Sequence, residues 1–414
     1  RLPEENAPMS TDRIDTLQPP FYVIDLEAIR ERLREVRSGF ESQFDSVIVG
    51  YSYKTNYVPA MLEEIHEAGA RAEVVSILEY RLARRIGVDP SRIVFNGPNK
   101  SRDAIAEALD GGAIVNLDSL REVRHAIEWA RQEGKRAEFG VRVNVSHPEY
   151  SDHRNRSRFG LTDADLQRAS EMVEGEDAEI VGLHTHLSTK ARDLETFTRL
   201  AERIGEASDI TGRDSLEYID IGGGLGRAPD ELDGLSFPSF EAYARRISET
   251  LSVYGLDDRT LIVEPGIAMV GDAVSFYTPV EVTKRIDGRN VAFVDGSIHN
   301  VKPTRHSHNL PTRVSNEDFE PKAGAEKEWD IVGYTCMDDD YIAVDQKLPA
   351  LETGDILRIA NVGAYTIVFN PPFIRTRPPI YTLDDGHYRL ARRVESVDDF
   401  FGEYIIGNDR DRPQ

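Results

Sequence analysis

The sequence predicts an α/β protein: a (β/α)8 TIM-type barrel followed by an all-β barrel domain. Two observations carry that expectation. Eight apolar, β-branched runs alternate with stretches of helical period over about 240 residues, close to the length such a barrel occupies. At Ala273 the texture changes, and strand-like runs then follow one another through turn residues with little helical period. A doubly wound open sheet is the competing arrangement.

The barrel strands are expected near Val47–Lys54, Arg71–Ser76, Ile93–Gly97, Ala113–Leu117, Glu138–Asn144, Glu179–Leu187, Tyr218–Gly222 and Leu261–Glu264. Between them, Tyr57–Ala68, Leu78–Ile86, Ser101–Leu109, Leu120–Gln132, Ala164–Val173, Asp193–Ala207 and Phe240–Tyr254 carry apolar residues at helical spacing. In the second domain Val274–Ile286, Asn290–Val294, Ile356–Ala360 and Tyr365–Phe369 read as strands. Phe21–Asp25 is another, and its joining that domain makes the domain discontinuous. The expected boundaries are 27–272 for the barrel, and 1–26 with 273–414 for the β domain, whose tail Asn408–Gln414 is expected to be disordered.

Composition narrows the function. Fifty basic against 73 acidic residues leave a net charge of −23, which argues against binding a nucleic-acid backbone by bulk electrostatics. Only nine of the basic residues are lysines, and an acidic, arginine-rich surface suits work in high salt, where screening relieves self-repulsion. No apolar run reaches transmembrane length, and the N-terminus lacks the order of a signal peptide, so the cytoplasm is the expected compartment. Cys336 is the one cysteine, which rules out intramolecular disulfides and cysteine-rich zinc sites.

In so lysine-poor a chain, Lys54 within Tyr51-Ser52-Tyr53-Lys54-Thr55-Asn56 needs a reason. It ends the first barrel strand, on the side where such barrels place active sites. Desolvation there favours a free amine, able to hold a carbonyl cofactor as a Schiff base, although a lysine snorkelling from the barrel mouth fits equally well. After the seventh strand, Gly222-Gly223-Gly224 lets backbone approach an anion closely, where phosphate commonly binds in barrels. Arg227 stands where a dinucleotide fingerprint wants its third glycine. Glu264-Pro265-Gly266 ends the eighth strand with a carboxylate able to pair with a protonated ring nitrogen.

His184 and His186 sit two apart on the sixth strand and share a face. With no third ligand nearby in sequence, one stacking imidazole and one core histidine is a better reading than zinc, and no metal site is expected. His306 and His308 read as solvated. In the β domain, Gly333-Tyr334-Thr335-Cys336-Met337-Asp338 precedes Gly363-Ala364-Tyr365, and most of the acidic run Asp338-Asp339-Asp340 reads as a solvated turn.

These motifs in this order resemble the fold-type III pyridoxal-phosphate decarboxylases, which include diaminopimelate, ornithine and biosynthetic arginine decarboxylases. The resemblance runs from Phe21 to Arg377. It implies an alanine-racemase-like barrel binding pyridoxal 5'-phosphate, a β domain, and a head-to-tail homodimer with shared active sites. By the same resemblance Lys54 would bond to the cofactor, His186 would stack on it, and Glu264 would pair with its ring nitrogen. Gly222, Gly223, Gly224, Gly266 and Tyr365, with Thr189 in place of a serine, would line the cofactor and its phosphate. Arg142 matches an arginine near the cofactor, and Ser157-Arg158-Phe159-Gly160 resembles a Ser-Lys-Phe-Gly segment. Cys336, from the partner copy, would reprotonate the α carbon.

Two departures bear on the substrate. Ile267 stands where the family usually has an arginine, and Met337 where it has an acid that grips a distal amine. Both losses remove charge-assisted bonds, of which Asp338 or Asp340 could restore the one to the amine. The expectation is therefore an amino-acid decarboxylase resembling the diaminopimelate enzymes. A related decarboxylase acting on another amino acid, of polyamine or siderophore type, stays open beside it. A racemase or epimerase fits less well, since those pair an arginine with the ring nitrogen. A non-catalytic cofactor binder fits less well too, since its barrel-only form lacks the β domain.

Overall fold

The computed structural model describes residues 9–145, 157–187, 192–227 and 236–404, which form two compact units: 29–270, and 1–28 together with 271–414. The expected tail Asn408–Gln414 and the phosphate contact Thr189 lie outside the described residues.

Two strands precede the barrel, β1 (Ser10–Thr11) and β2 (Phe21–Asp25). The barrel strands are β3 (Val47–Ser52), β4 (Arg71–Val74), β5 (Ile93–Phe95), β6 (Ile114–Leu117), β7 (Ala137–Arg142), β8 (Ala178–His184), β9 (Tyr218–Asp220) and β10 (Thr260–Val263). Each pairs in parallel with the next, and β10 closes on β3 with Leu261 opposite Val47. The closed barrel rules out the open sheet. Its helices start where the sequence supplies a cap. Ser76, Ser101, Ser119, Thr162, Asp193 and Ser239 each accept a backbone N–H from the first turn of the helix that follows. A cap of this kind contributes about 1 kcal/mol.

Most barrel strands stop short of the sequence expectation at their C-terminal ends. Beyond Ser52, Asp220 and Val263 the chain leaves the ladder, and neighbouring loops bond to one another across the barrel mouth. Ser52 N–H donates to Pro265 O (3.3 Å), and Glu264 N–H donates to Gly222 O (3.0 Å). Lys54 consequently sits on a single 3-10 turn, Tyr53–Thr55, rather than on the strand. An additional helix, Leu26–Glu41, buries Ile29, Leu33, Val36 and Phe40 along one stripe.

The second unit contains β11 (Val274–Ile286), β12 (Arg289–Val294), β13 (Thr312–Ser315), β14 (Lys327–Val332), β15 (Tyr341–Leu348), β16 (Ile356–Ile359), β17 (Ile380–Asp384) and β18 (His387–Arg392). With β1 and β2 they make a ten-stranded sheet in the order β1-β18-β17-β2-β11-β12-β14-β15, with β16 joining β11 to β13. The N-terminal strand β2 is thus an interior strand, parallel to β17 and antiparallel to β11. Leu17, Phe21, Val23 and Tyr381 form one of its core clusters. Tyr365–Phe369, expected as a strand, is instead a bend with Tyr365 at φ 54° leading into a 3-10 turn at Ile367–Phe369. The left-handed backbone at Tyr365 cannot continue a ladder. His308 is exposed as expected, whereas His306 is half-buried.

One buried carboxylate makes a testable contribution to stability. Glu79, in the first turn of helix Ile77–Arg85, accepts the Val75 N–H at 2.7 Å. Burial, reinforced by the nearby Glu73, pushes its pKa up to about 7. A raised folded-state pKa means that the folded chain holds a proton that the unfolded chain has already released. The associated stability is present at acid pH and is lost as pH rises towards 7. Glu79→Gln keeps an acceptor for Val75 and is expected to flatten this dependence by on the order of 2–3 kcal/mol between about pH 5 and pH 8. Urea midpoints of the two proteins at both pH values check it.

Candidate active site

At the C-terminal mouth of the barrel the polar side chains of several strands meet. Lys54 reaches back from its turn to Glu73 Oε2 at 2.6 Å and Ser52 Oγ at 3.0 Å. Glu73, at 1% side-chain exposure, also accepts the Ser52 hydroxyl, and its other oxygen takes the Asn96 amide at 3.1 Å. The Lys54 side chain is about one-third exposed. It is therefore an ion-paired amine at the rim rather than one fully stripped of water and partners.

The floor beneath is a continuous buried network. Asn96 Nδ2 also donates to Glu264 Oε1. Asn116 Nδ2 donates to Asn96 Oδ1 (2.8 Å) and to Asp220 Oδ2 (3.0 Å), and Tyr218 donates its O–H to Asn116 Oδ1 (2.9 Å). Asp220 Oδ1 accepts the Gly222 N–H at 3.0 Å. Glu264 therefore lies in the same network as Lys54, two side chains away. The sequence reading missed Glu73, Asn96, Asn116 and Asp220. Their signal was a polar residue near the C-terminal end of an otherwise apolar strand, which is weak singly and becomes a pattern only when the barrel is closed.

His184 and His186 differ in their hydrogen bonding. His184 is buried with neither ring nitrogen hydrogen-bonded among the described residues, and its Nε2 lies 3.9 Å from Glu264 Oε1. Burial, with Arg142 and His186 nearby, holds its pKa well below the usual value. His186 Nδ1 accepts the Gly223 N–H at 3.1 Å. Burial, then the charges of Arg142 and Lys54, lower the His186 pKa to about 3, so its ring is neutral at physiological pH. Arg142 Nη2 donates to His186 O (3.1 Å), its Nη1 lies 3.7 Å from Asp118 Oδ2, and its guanidinium stacks on Phe159 at 4.6 Å. The Ser157–Gly160 segment is held in place through Asn144, which donates to Ser157 O and Phe159 O.

The glycine run marks where the backbones of neighbouring barrel loops come closest. Gly222 has φ 71°, and a Cβ there would overlap the Thr185 carbonyl oxygen. At Gly223 a Cβ would overlap the Glu264 carbonyl oxygen. Both N–H groups are already taken, by Asp220 and His186. Gly266 packs closely on Thr55, and Gly224 has φ 87°. A second lysine, Lys100, is fully buried. Its Nζ is 2.9 Å from Glu122 Oε2, in the first turn of helix Leu120–Glu133, and 2.7 Å from Gly97 O, so it staples a barrel loop to that helix.

Residues 26–271 match the family model described as pyridoxal-dependent decarboxylase, pyridoxal binding domain. The chain belongs to the pyridoxal-dependent decarboxylase family. This decarboxylase is 30% identical over 394 residues to a probable chloroplastic diaminopimelate decarboxylase of rice, covering 92% of this chain and 78% of the relative. It is also 30% identical over 397 residues to the diaminopimelate decarboxylase of Methanothermobacter thermautotrophicus, covering 93% and 91%. Among solved structures, diaminopimelate decarboxylase from Helicobacter pylori complexed with L-lysine superposes with a TM-score of 0.82 at 25% identity, covering 93% of this chain and 96% of that one.

The residues present suit pyridoxal phosphate. A primary amine stands at the mouth, and in the floor beneath it lie a buried acid, Glu264, and a buried imidazole, His184, whose ring nitrogens make no hydrogen bond among the described residues. The family and the site together make this decarboxylase a pyridoxal-phosphate-dependent carboxy-lyase acting on amino acids.

Cys336, Asp338, Asp340 and Tyr365 belong to the other unit. Cys336 is exposed, on the loop between β14 and β15. Asp340, expected within a solvated turn, is buried. Its Oδ1 accepts the Ile298 N–H (2.7 Å), and its Oδ2 accepts the Thr335 N–H (2.9 Å) and hydroxyl (2.6 Å). Its oxygens are thus committed to the loop, which removes it as the replacement grip on a substrate amine and makes it the anchor of the segment carrying Cys336. Asp340→Ala leaves two backbone donors without their acceptor, and a stability loss of on the order of 2–4 kcal/mol is expected, read as a lowered urea midpoint.

Proposed function

We propose that this decarboxylase removes a carboxylate from meso-diaminopimelate to yield lysine, as a cytoplasmic head-to-tail homodimer. The reading rests on one observation: the Lys54 amine is held by Glu73 in the same network as the buried acid Glu264. Identity to diaminopimelate decarboxylases over more than nine-tenths of the chain supports the substrate.

When bound, pyridoxal phosphate supplies an electron sink for the pair released as the α carboxylate departs. Lys54 is the residue that would hold it covalently, with Glu73 orienting the amine and accepting its proton. Glu264 would hold a proton at the ring nitrogen, and the neutral His186 adds no charge beside a cationic ring. Gly222, Gly223, Gly224, Gly266, Thr189, Arg142 and Tyr365 are the candidates for the remaining contacts. Cys336, carried on the loop anchored by Asp340, is the candidate proton donor to the α carbon, reaching the site of the opposite copy.

Ile267 and Met337 favour a second reading, an amino acid with an uncharged distal group, because neither offers a charge to a distal amine or carboxylate. Carbon dioxide release by the cofactor-loaded protein, from meso-diaminopimelate beside ornithine, arginine and lysine, tests both. Release from diaminopimelate with lysine as product is the expected outcome. Release from none of the four by a protein that retains the cofactor on Lys54 would overturn the diaminopimelate assignment.

A further inference from the structure

Asp220 ends β9, and Glu264 follows β10 by one residue. Their carboxyl groups are both buried, with an oxygen of each within 4.8 Å of the other. Two buried carboxyl groups this close do not both ionise readily, so one of them keeps its proton. Asp220, which burial raises to about 7, is the readier of the two to ionise. Each of its oxygens already accepts a hydrogen bond, from the Gly222 N–H and from the Asn116 amide. Glu264 receives one such bond, from Asn96.

Charge balance leads to the same assignment. The groups facing the pair are Glu73 on β4, Lys54 on its turn, Arg142 on β7, His184 and His186 at the end of β8, and Tyr218 on β9. The two histidines are neutral, and the Tyr218 phenol keeps the proton it donates to Asn116. Lys54 is bound to Glu73, and Arg142 is shared with Asp118. Two cations therefore face four carboxyl groups, Glu73, Asp118, Asp220 and Glu264, so the site holds more acids than cations to balance them. Burial pushes Glu264 well above the ordinary carboxyl range, with the charges of Asp220 and Glu73 adding to it.

We infer that Asp220 keeps Glu264 protonated in the cofactor-free barrel, so that the proton shared by Glu264 and the cofactor's ring nitrogen is brought by the protein rather than drawn from solvent. This rests on the pyridoxal-phosphate reading of the site. The proton leaves the Glu264 carboxyl for the ring nitrogen, or is held between them, and nothing else is consumed or released. Asp220 is on this account a positioning residue: it sets the protonation state of its neighbour and touches neither cofactor nor substrate.

The test is a proton count. Cofactor-free protein is titrated with pyridoxal phosphate, above the pKa of the free cofactor's ring nitrogen, by calorimetry in two buffers of different ionisation enthalpy. Asp220→Asn removes the anion and leaves an amide able to donate to an ionised Glu264. The variant is expected to take up about one proton more per cofactor than the wild type, so that its affinity falls about tenfold further per pH unit. Equal uptake by both proteins would overturn the inference.

Infrared difference spectra of the cofactor-free wild type against Glu264→Gln provide a second readout that needs neither cofactor nor Asp220→Asn. A protonated carboxyl band present only in the wild type at neutral pH is expected, and its absence would also overturn the inference. A protein that shows the band yet binds no pyridoxal phosphate would refute the cofactor reading and leave the protonated Glu264 standing.

Discussion

Lys54→Ala is expected to lower carbon dioxide release by on the order of a thousandfold or more, because no other described amine in the barrel mouth can replace it as nucleophile. Lys100 is fully buried and engaged with Glu122. The same change leaves Glu73 buried without its cation. The stability loss is expected to be about 2 kcal/mol, less than for a fully buried pair because Lys54 is one-third exposed. Lys54→Arg separates the two effects, since the guanidinium can still pair with Glu73 but cannot take the place of the amine as nucleophile. It is expected to recover the urea midpoint without recovering turnover. An arginine variant that turns over at the wild-type rate would remove Lys54 from the mechanism.

Gly222→Ala is expected to weaken cofactor binding roughly tenfold to a hundredfold, read by titrating cofactor-free protein and following bound-cofactor absorbance. The substitution places a methyl group against the Thr185 carbonyl oxygen at φ 71°, where any side chain is strained. Gly222 cannot move aside alone. Its N–H is bonded to Asp220 and its carbonyl to the Glu264 N–H, so relief of the clash displaces both members of the carboxyl pair. Gly212→Ala serves as the control: it also has positive φ, but nothing lies near its Cβ, so a stability change without a change in cofactor affinity is expected there.

The barrel was legible because each of its repeating units carries its own instruction: an apolar run, a Ser, Thr or Asp cap, then an amphipathic stripe. The helix Leu26–Glu41 was equally legible, since Ile29, Leu33, Val36 and Phe40 repeat at helical spacing, yet it went unread. Strand ends were read too long because β-propensity continues past Ser52 and Asp220 while the ladder does not. Tyr365–Phe369 shows the converse, strand-forming residues held in a bend by one left-handed residue. At the site, Lys54, His186 and Glu264 were accessible through short motifs. Glu73, Asn96, Asn116 and Asp220 were not, because four different strands contribute them and only closure of the barrel makes them neighbours. The fate of Asp340 was likewise invisible, since its partner Ile298 starts a short helix 42 residues away in the chain.

The interior position of β2 also shapes how the molecule is made. Phe21, Tyr22, Val23 and Ile24 leave the ribosome ahead of the barrel, but the strands that cover β2, β11 and β17, follow it. The barrel can close as soon as β10 emerges, whereas this apolar strand must wait for β11 and keeps its other edge unpaired until β17, nearly the last strand, is synthesised. An unpaired apolar strand is a template for association between chains. Slow elongation or truncation ahead of Ile380 should therefore yield aggregates nucleated at Phe21–Asp25, even though the barrel itself is complete.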